Sequence, residues 1–122
     1  MRWEVDTSFI ESWLLALDHK TVVLIAAALE KLAETGPNLG RPLVDTLEGS
    51  KFSNMKELRP GSSGRTEIRI IFAFDPERTA ITLLGGDKQR QWSKWYKKAI
   101  PVADSLYEDH LKALKEKDEA DG

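Results

Sequence analysis

Cysteine is absent from the chain, so it carries neither a disulfide framework nor thiolate chemistry. Histidine is nearly as scarce. His19 and His110 lie far apart, which excludes a Cys/His zinc site. Long apolar runs are missing too. The longest, Val22 to Leu29, is far shorter than the roughly 20 residues that span a bilayer. The opening MRWEVDTSF has no apolar signal core. A cytoplasmic protein without membrane contact is the expectation.

The chain also lacks a charge excess of either sign, with a formal net charge of −2 over 122 residues. The distribution says more than the total. Residues 1–50 hold 4 Lys/Arg against 8 Asp/Glu, a net −4; residues 51–100 hold 11 against 5, a net +6; residues 101–122 hold 3 against 7, a net −4. A basic middle between acidic flanks suits either an anionic partner or a solvated sheet face. The length fits one domain with a real core, expected over residues 1–115. The acidic end, 116–122, has no apolar anchor and reads as frayed or disordered.

Arg2 to Asp6 alternates like a short half-buried strand. Ser8-Phe-Ile-Glu11 matches a capping box and opens a helix with Phe9, Trp13, Leu14 and Leu17 on one face. Asp18 caps a second helix, with Val22, Ile25, Ala26, Leu29, Leu32 and Ala33 as its apolar set, ended by Gly36-Pro37. Residues 36–54 read as loop. Three strands follow in meander order. Met55–Arg59 leads through the turn Pro60–Gly64 to Glu67–Phe74. There Ile68, Ile70, Phe72 and Phe74 point one way, and Glu67, Arg69, Ile71 and Ala73 the other. The turn Asp75–Arg78 leads to Thr79–Leu84, ending at Gly85-Gly86. Asp87–Lys98 is polar and aromatic. Pro101 suits a helix start, with Ala103, Leu106, Tyr107, His110, Leu111 and Leu114 as its stripe. The order β, α, α, β, β, β, α predicts an α+β fold.

The cations of the middle segment fall in two groups. Lys51, Lys56, Arg59, Arg65 and Arg69 lie on the first two meander strands and their turn. Lys88, Arg90, Lys94, Lys97 and Lys98 follow the last strand. Arg69 is central in an apolar strand, where a guanidinium needs a ligand or a salt bridge, for which Glu57 and Glu67 are at hand. Trp92, Trp95 and Tyr96 interleave with the second group, as on a surface for single-stranded RNA, although for the two tryptophans packing of the last helix onto the sheet is the plainer reading. Gly61-Ser-Ser-Gly64 lacks the Gly-Lys-Ser/Thr ending of a phosphate loop and opens a strand. No carboxylate pair or Ser/His/Asp grouping stands out. His110 reads as a packed residue and His19 as a surface one.

The segments MKELRPGSSGRTEIRIIFAF and ITLLGGDKQRQWSKWYKKAIPVADSLYEDH resemble the phage-derived, HigB-like branch of the RelE/ParE toxin superfamily. The resemblance runs from the first strand to about Leu114. It rests on Glu57-Leu58-Arg59, on Arg69 within its apolar strand and on the glycine–lysine segment with WYKKAIPVAD. It implies a RelE/ParE-like fold, a small antiparallel sheet with an N-terminal helical hairpin and a C-terminal helix. It implies the toxin of a type II toxin–antitoxin pair, which cuts mRNA on the ribosome without a metal or other cofactor, by attack of the 2′-OH on the adjacent phosphate. Arg69 then matches the arginine that holds the scissile phosphate. Lys88 or Arg90 matches the basic position that neutralises developing charge, and Tyr96 the C-terminal tyrosine that acts as base or stacks on one. Arg59 and Arg65 would support the phosphate, and Arg90, Lys94, Lys97 and Lys98 would extend the RNA surface. Glu57 departs from the pattern: RelE has a lysine there, so Glu57 either serves as base or pairs with an arginine. Lys94 and Lys97 remain alternatives to Tyr96. The implied partner is a HigA-like helix-turn-helix antitoxin. ParE-like gyrase inhibition and an inactive antitoxin-binding module are the competing functions.

Overall fold

A computed structural model describes residues 2–61, 64–91 and 93–121. The strands of its sheet are β1 (Glu4–Asp6), β2 (Val44–Thr46), β3 (Met55–Leu58), β4 (Ile68–Phe74) and β5 (Thr79–Asp87), and its helices are α1 (Glu11–Leu15), α2 (His19–Thr35) and α3 (Ser93–Asp121). The sheet order is β1-β5-β4-β3-β2. Every neighbouring pair is antiparallel except β1, which runs parallel to β5. The fold is α+β with helices at both ends of the chain, consistent with a RelE-like architecture.

Period two in β4 decides which helices cover which face. Ile68, Ile70 and Phe72 are buried with Ile10, Ile25, Ala28 and Leu32 of the N-terminal helical region. Ile71 and Ala73 are buried on the opposite face with Ala99, Ile100, Ala103 and Tyr107 of α3. A strand covered on both sides reads as an unbroken apolar run, which is why IRIIFAF alternates so little in hydrophobicity.

Several expectations are corrected. Val44–Thr46, within the stretch read as loop, forms β2 at the sheet edge; three residues are too few to show a period. The Ser8 capping box does not form. Residues 8–10 make a 3-10 turn without a side-chain cap, and the Ser8 amide donates to Asp6 instead. Phe9 is accordingly 42% exposed, and Ile10 takes the buried place. In α2, Ala28 rather than Ala26 faces the core. Helix α3 begins eight residues before Pro101, which sits inside it, where no amide is available for the Lys97 carbonyl. Burial of Ala99, Ile100, Ala103 and Tyr107 offsets that loss. The helix also continues through the acidic segment to Asp121. Ser62 and Ser63 of the expected turn, and Trp92, lie outside the described residues.

The most instructive difference is at Gly85-Gly86. They lie inside β5, which runs on to Asp87. A register shift at Ile71/Phe72 opposes Ile71 to Leu84 and Phe72 to Thr82. The extra residue sends both Leu83 and Leu84 to the α3 face and shifts the phase of everything after it. Gly85 then meets Trp13 on one face: a Cβ there would lie 2.3 Å from the indole. Gly86 meets Trp95 on the other, with a Cβ 2.5 Å from the indole nitrogen. Neither position has room for a side chain. Gly85→Ala is expected to cost about 1–3 kcal/mol through overpacking. Urea unfolding should show that cost shrinking in a Trp13→Ala background; an equal cost in both backgrounds would refute the steric account.

Candidate functional site

The β3–β4 register pairs Glu57 with Ile71 and Leu58 with Ile70. Arg59 follows directly on β3, and the β4–β5 register sets Arg69 opposite Gly86. Glu57, Arg59 and Arg69 thus share the face covered by the first turns of α3, at the end of the sheet where β3 stops. Arg69 is the second residue of β4 and half-buried, not central as its strand context suggested.

Glu57 is 3% exposed and carries two bonds. Tyr96 Oη of α3 donates to Oε2 at 2.7 Å, and Arg59 Nε donates to Oε1 at 2.9 Å. Asp45 of β2 lies 3.9 Å from Arg59 Nη2, a flanking carboxylate that no sequence pattern singled out. Arg69 makes no salt bridge with Glu57 or Glu67 among the described residues; its Nη1 donates to the Ile68 carbonyl at 2.8 Å. Its Nε is buried and has no acceptor among the described residues, an uncommon state for a buried donor. Lys88 Nζ stands 5.5 Å from the centre of the Tyr96 ring, close enough for a cation–π contact. Trp95 meets the same ring edge-on at 5.1 Å while its indole lies over Gly86.

These contacts fix the protonation of Tyr96. Burial first, then the hydrogen bond to Glu57 and its negative charge, push the phenol up from 10 to about 12, while the Arg69 guanidinium opposes them. The phenol therefore stays protonated at neutral pH and serves as a donor. Arg59 pairs with the buried carboxylate, and Arg69 and Lys88 lie by the tyrosine that donates to it, which makes the cluster a seat for an anion.

The model of the phage-derived Gp49-like protein family matches residues 12–108. The chain belongs to that family. It is 53% identical over 109 residues to a Mycobacterium tuberculosis protein named "Putative toxin HigB2", covering 89% of this chain and 54% of that protein. The chain thus spans about half the length of this relative. It is 49% identical over 102 residues to "Putative toxin HigB3" of the same organism, covering 84% of this chain and 87% of that one. The HigB-like resemblance read from the sequence is therefore shown.

The remaining candidates of this Gp49-like chain fall outside the cluster's hydrogen-bonded centre. Arg65, Arg90, Lys94, Lys97 and Lys98 are all exposed. Arg90 has a positive φ of 63° in the turn before α3. That turn is organised by Asp87, whose Oδ1 accepts the amides of Glu67 and Gln89. Lys51 pairs with Glu108 at 3.3 Å. His110 bonds Asp75 at 2.8 Å, remote in sequence from the cluster and in keeping with a packed histidine. No helix among the described residues is long and apolar enough to cross a membrane.

The raised Tyr96 value predicts a pH effect with a defined sign. A phenol that is harder to ionise when folded stabilises the fold fully below pH 10. It loses that contribution as pH rises from 10 towards about 12. The urea midpoint should fall across this window more steeply for the wild type than for Tyr96→Phe. Parallel slopes would show that Tyr96 is not held as described.

Proposed function

We propose that the chain is the toxin of a type II toxin–antitoxin pair and that it cuts mRNA on the ribosome, in the cytoplasm, by metal-free transesterification. One observation carries the reading. Arg69, whose buried Nε has no acceptor among the described residues, shares a face with two further cations, a tyrosine hydroxyl and a carboxylate. Arg69 as a whole is only half-buried, and a scissile phosphate is the anion that its unpaired charge suits. Fixed positive charge is also what phosphoryl transfer needs when charge develops on the non-bridging oxygens.

In the proposed step the 2′ oxygen attacks the adjacent phosphorus, the bond to the 5′ oxygen breaks, and a 2′,3′-cyclic phosphate and a 5′-hydroxyl result. Arg69, Arg59 and Lys88 hold the phosphate and its developing charge. Tyr96 takes the 2′ proton as its own passes to Glu57, so the proton ends on the carboxylate and the phenolate is never a free base. Water protonates the leaving 5′ oxygen. Glu57 thus orients Arg59 and accepts the proton. The exposed Arg65, Arg90, Lys94, Lys97 and Lys98 attract the RNA strand without ordering the reaction. The names of the HigB relatives support a toxin, and with it a neutralising antitoxin, expected to be a small helix-turn-helix protein.

Toe-printing of a translated mRNA in a purified translation system tests the reading. The wild type should give discrete cuts. Arg69→Ala should reduce cutting about a hundredfold or more, the loss typical of one charge-stabilising group, with circular dichroism and melting temperature preserved. Intact mRNA together with arrested DNA gyrase would overturn it in favour of gyrase poisoning.

A further inference from the structure

The outer side of the Tyr96 segment borders a hollow of about 320 Å³ that the reaction above does not use. Ile100, Pro101 and Tyr96 give it apolar walls, and Glu48, Ser93 and Lys97 supply its polar groups. Its volume lies at the lower end for small-ligand sites. The loop that forms one wall is held in place. Asp104 of α3, 5% exposed, accepts the Lys51 amide at 2.9 Å and the Ser50 hydroxyl. Gly49 turns the chain at φ 90°. Nothing in the phosphate cluster requires this anchoring, which sets Glu48 on the rim of the hollow.

We infer that this hollow receives the guanine base of the RNA strand next to the scissile phosphate, with Glu48 as the residue that selects it; the inference rests on the RNA-cleavage reading above. Tyr96 belongs to both the phosphate cluster and the hollow, so one nucleotide reaches both with its phosphate and its base. Apolar walls and a tyrosine suit the flat face of a base. The selection follows from chemistry. An ionised carboxylate only accepts hydrogen bonds. Guanine alone among the four bases presents two adjacent N–H groups on its pairing edge, at N1 and N2. Adenine and cytosine set a ring acceptor beside their amino group, and uracil sets carbonyls on both sides of its single N–H; each opposes a carboxylate. Lys97 offers a donor for guanine O6.

Two measurements on the full chain test this. Sequencing of 5′-hydroxyl ends from translated mRNA should show guanine beside the cut about tenfold over uracil, the scale of one bidentate base contact. Glu48→Gln should erase that preference while retaining total cutting. In the second measurement, NMR titration with non-cleavable 2′-O-methyl tetranucleotides, UUGU against UUUU, should show about tenfold tighter binding of UUGU. The shifts should centre on the amides of Glu48, Ser93 and Lys97. If the wild type cuts no RNA, the cleavage reading fails, and the titration alone decides the guanine site. Equal binding of the two strands, or a guanine preference unchanged in Glu48→Gln, would overturn it. So would tight binding of free guanosine monophosphate together with a cut pattern blind to the base, which would mark a mononucleotide site instead.

Discussion

A carboxylate buried inside a sheet has to be satisfied by donors, because removing either partner leaves an uncompensated charge out of water. Glu57 obeys this constraint with one donor from its own strand end, Arg59, and one from α3, Tyr96. The pairing does three things at once. It holds the first turns of α3 to the sheet, orients the Tyr96 hydroxyl and holds Arg59 on the face of Arg69. Glu57 pairs with Arg59 alone of the three cations, so the charge of Arg69 and Lys88 beside Tyr96 is left over. An apolar residue at position 57 would leave the Arg59 guanidinium and the Tyr96 hydroxyl without the acceptor they share.

The same face depends on a phase change two strands away. Without the extra residue near Leu83, strand alternation would turn Gly85 rather than Gly86 towards α3. Trp95 would then meet the wrong residue and Trp13 the other. The bulge and the two glycines are therefore one device. It brings an indole close to the sheet on each face and places Trp95 edge-on to Tyr96. The tryptophan packs, as the plainer sequence reading had it, yet its packing supports the ring on which the site depends.

What the sequence revealed and what it concealed divide along a physical line. The alternation of β4 and the apolar stripe of α3 are local periods, and the faces read from them are those observed. The meander connection suggested that the two groups of cations could meet, and the family resemblance singled out Glu57, Arg69, Lys88 and Tyr96 among them. Register, by contrast, is not local. The Tyr96–Glu57 bond spans 39 residues, and the glycine pair that looked like a strand end is explained only by tryptophans 72 residues upstream and 9 residues downstream of its two members. The polar run Ser93–Lys98 and the internal Pro101 hid two turns of α3, because local propensity opposes a helix there and tertiary burial overrides it. Arg65, Arg90, Lys94 and Lys98 share composition with the site but no hydrogen bond in it.

Polar anchoring recurs along α3. Tyr96 bonds to Glu57, and Asp104, about two turns on, holds the Ser50–Lys51 loop. Between them the helix presents Ala99 and Ala103 to the sheet, residues small enough for close approach. Small apolar side chains alone would let a helix slide along a sheet at little cost, since hydrophobic contact is non-directional. Hydrogen bonds to buried carboxylates are directional and charge-assisted, and two of them at separate points fix both the position and the rotation of the helix. The placement of Tyr96 over the cations is thus inherited from how the whole helix docks. The buried carboxylates do not oppose the basic site: Glu57 of β3 orients Tyr96 and Arg59, and Asp104 ties α3 to the Ser50–Lys51 loop.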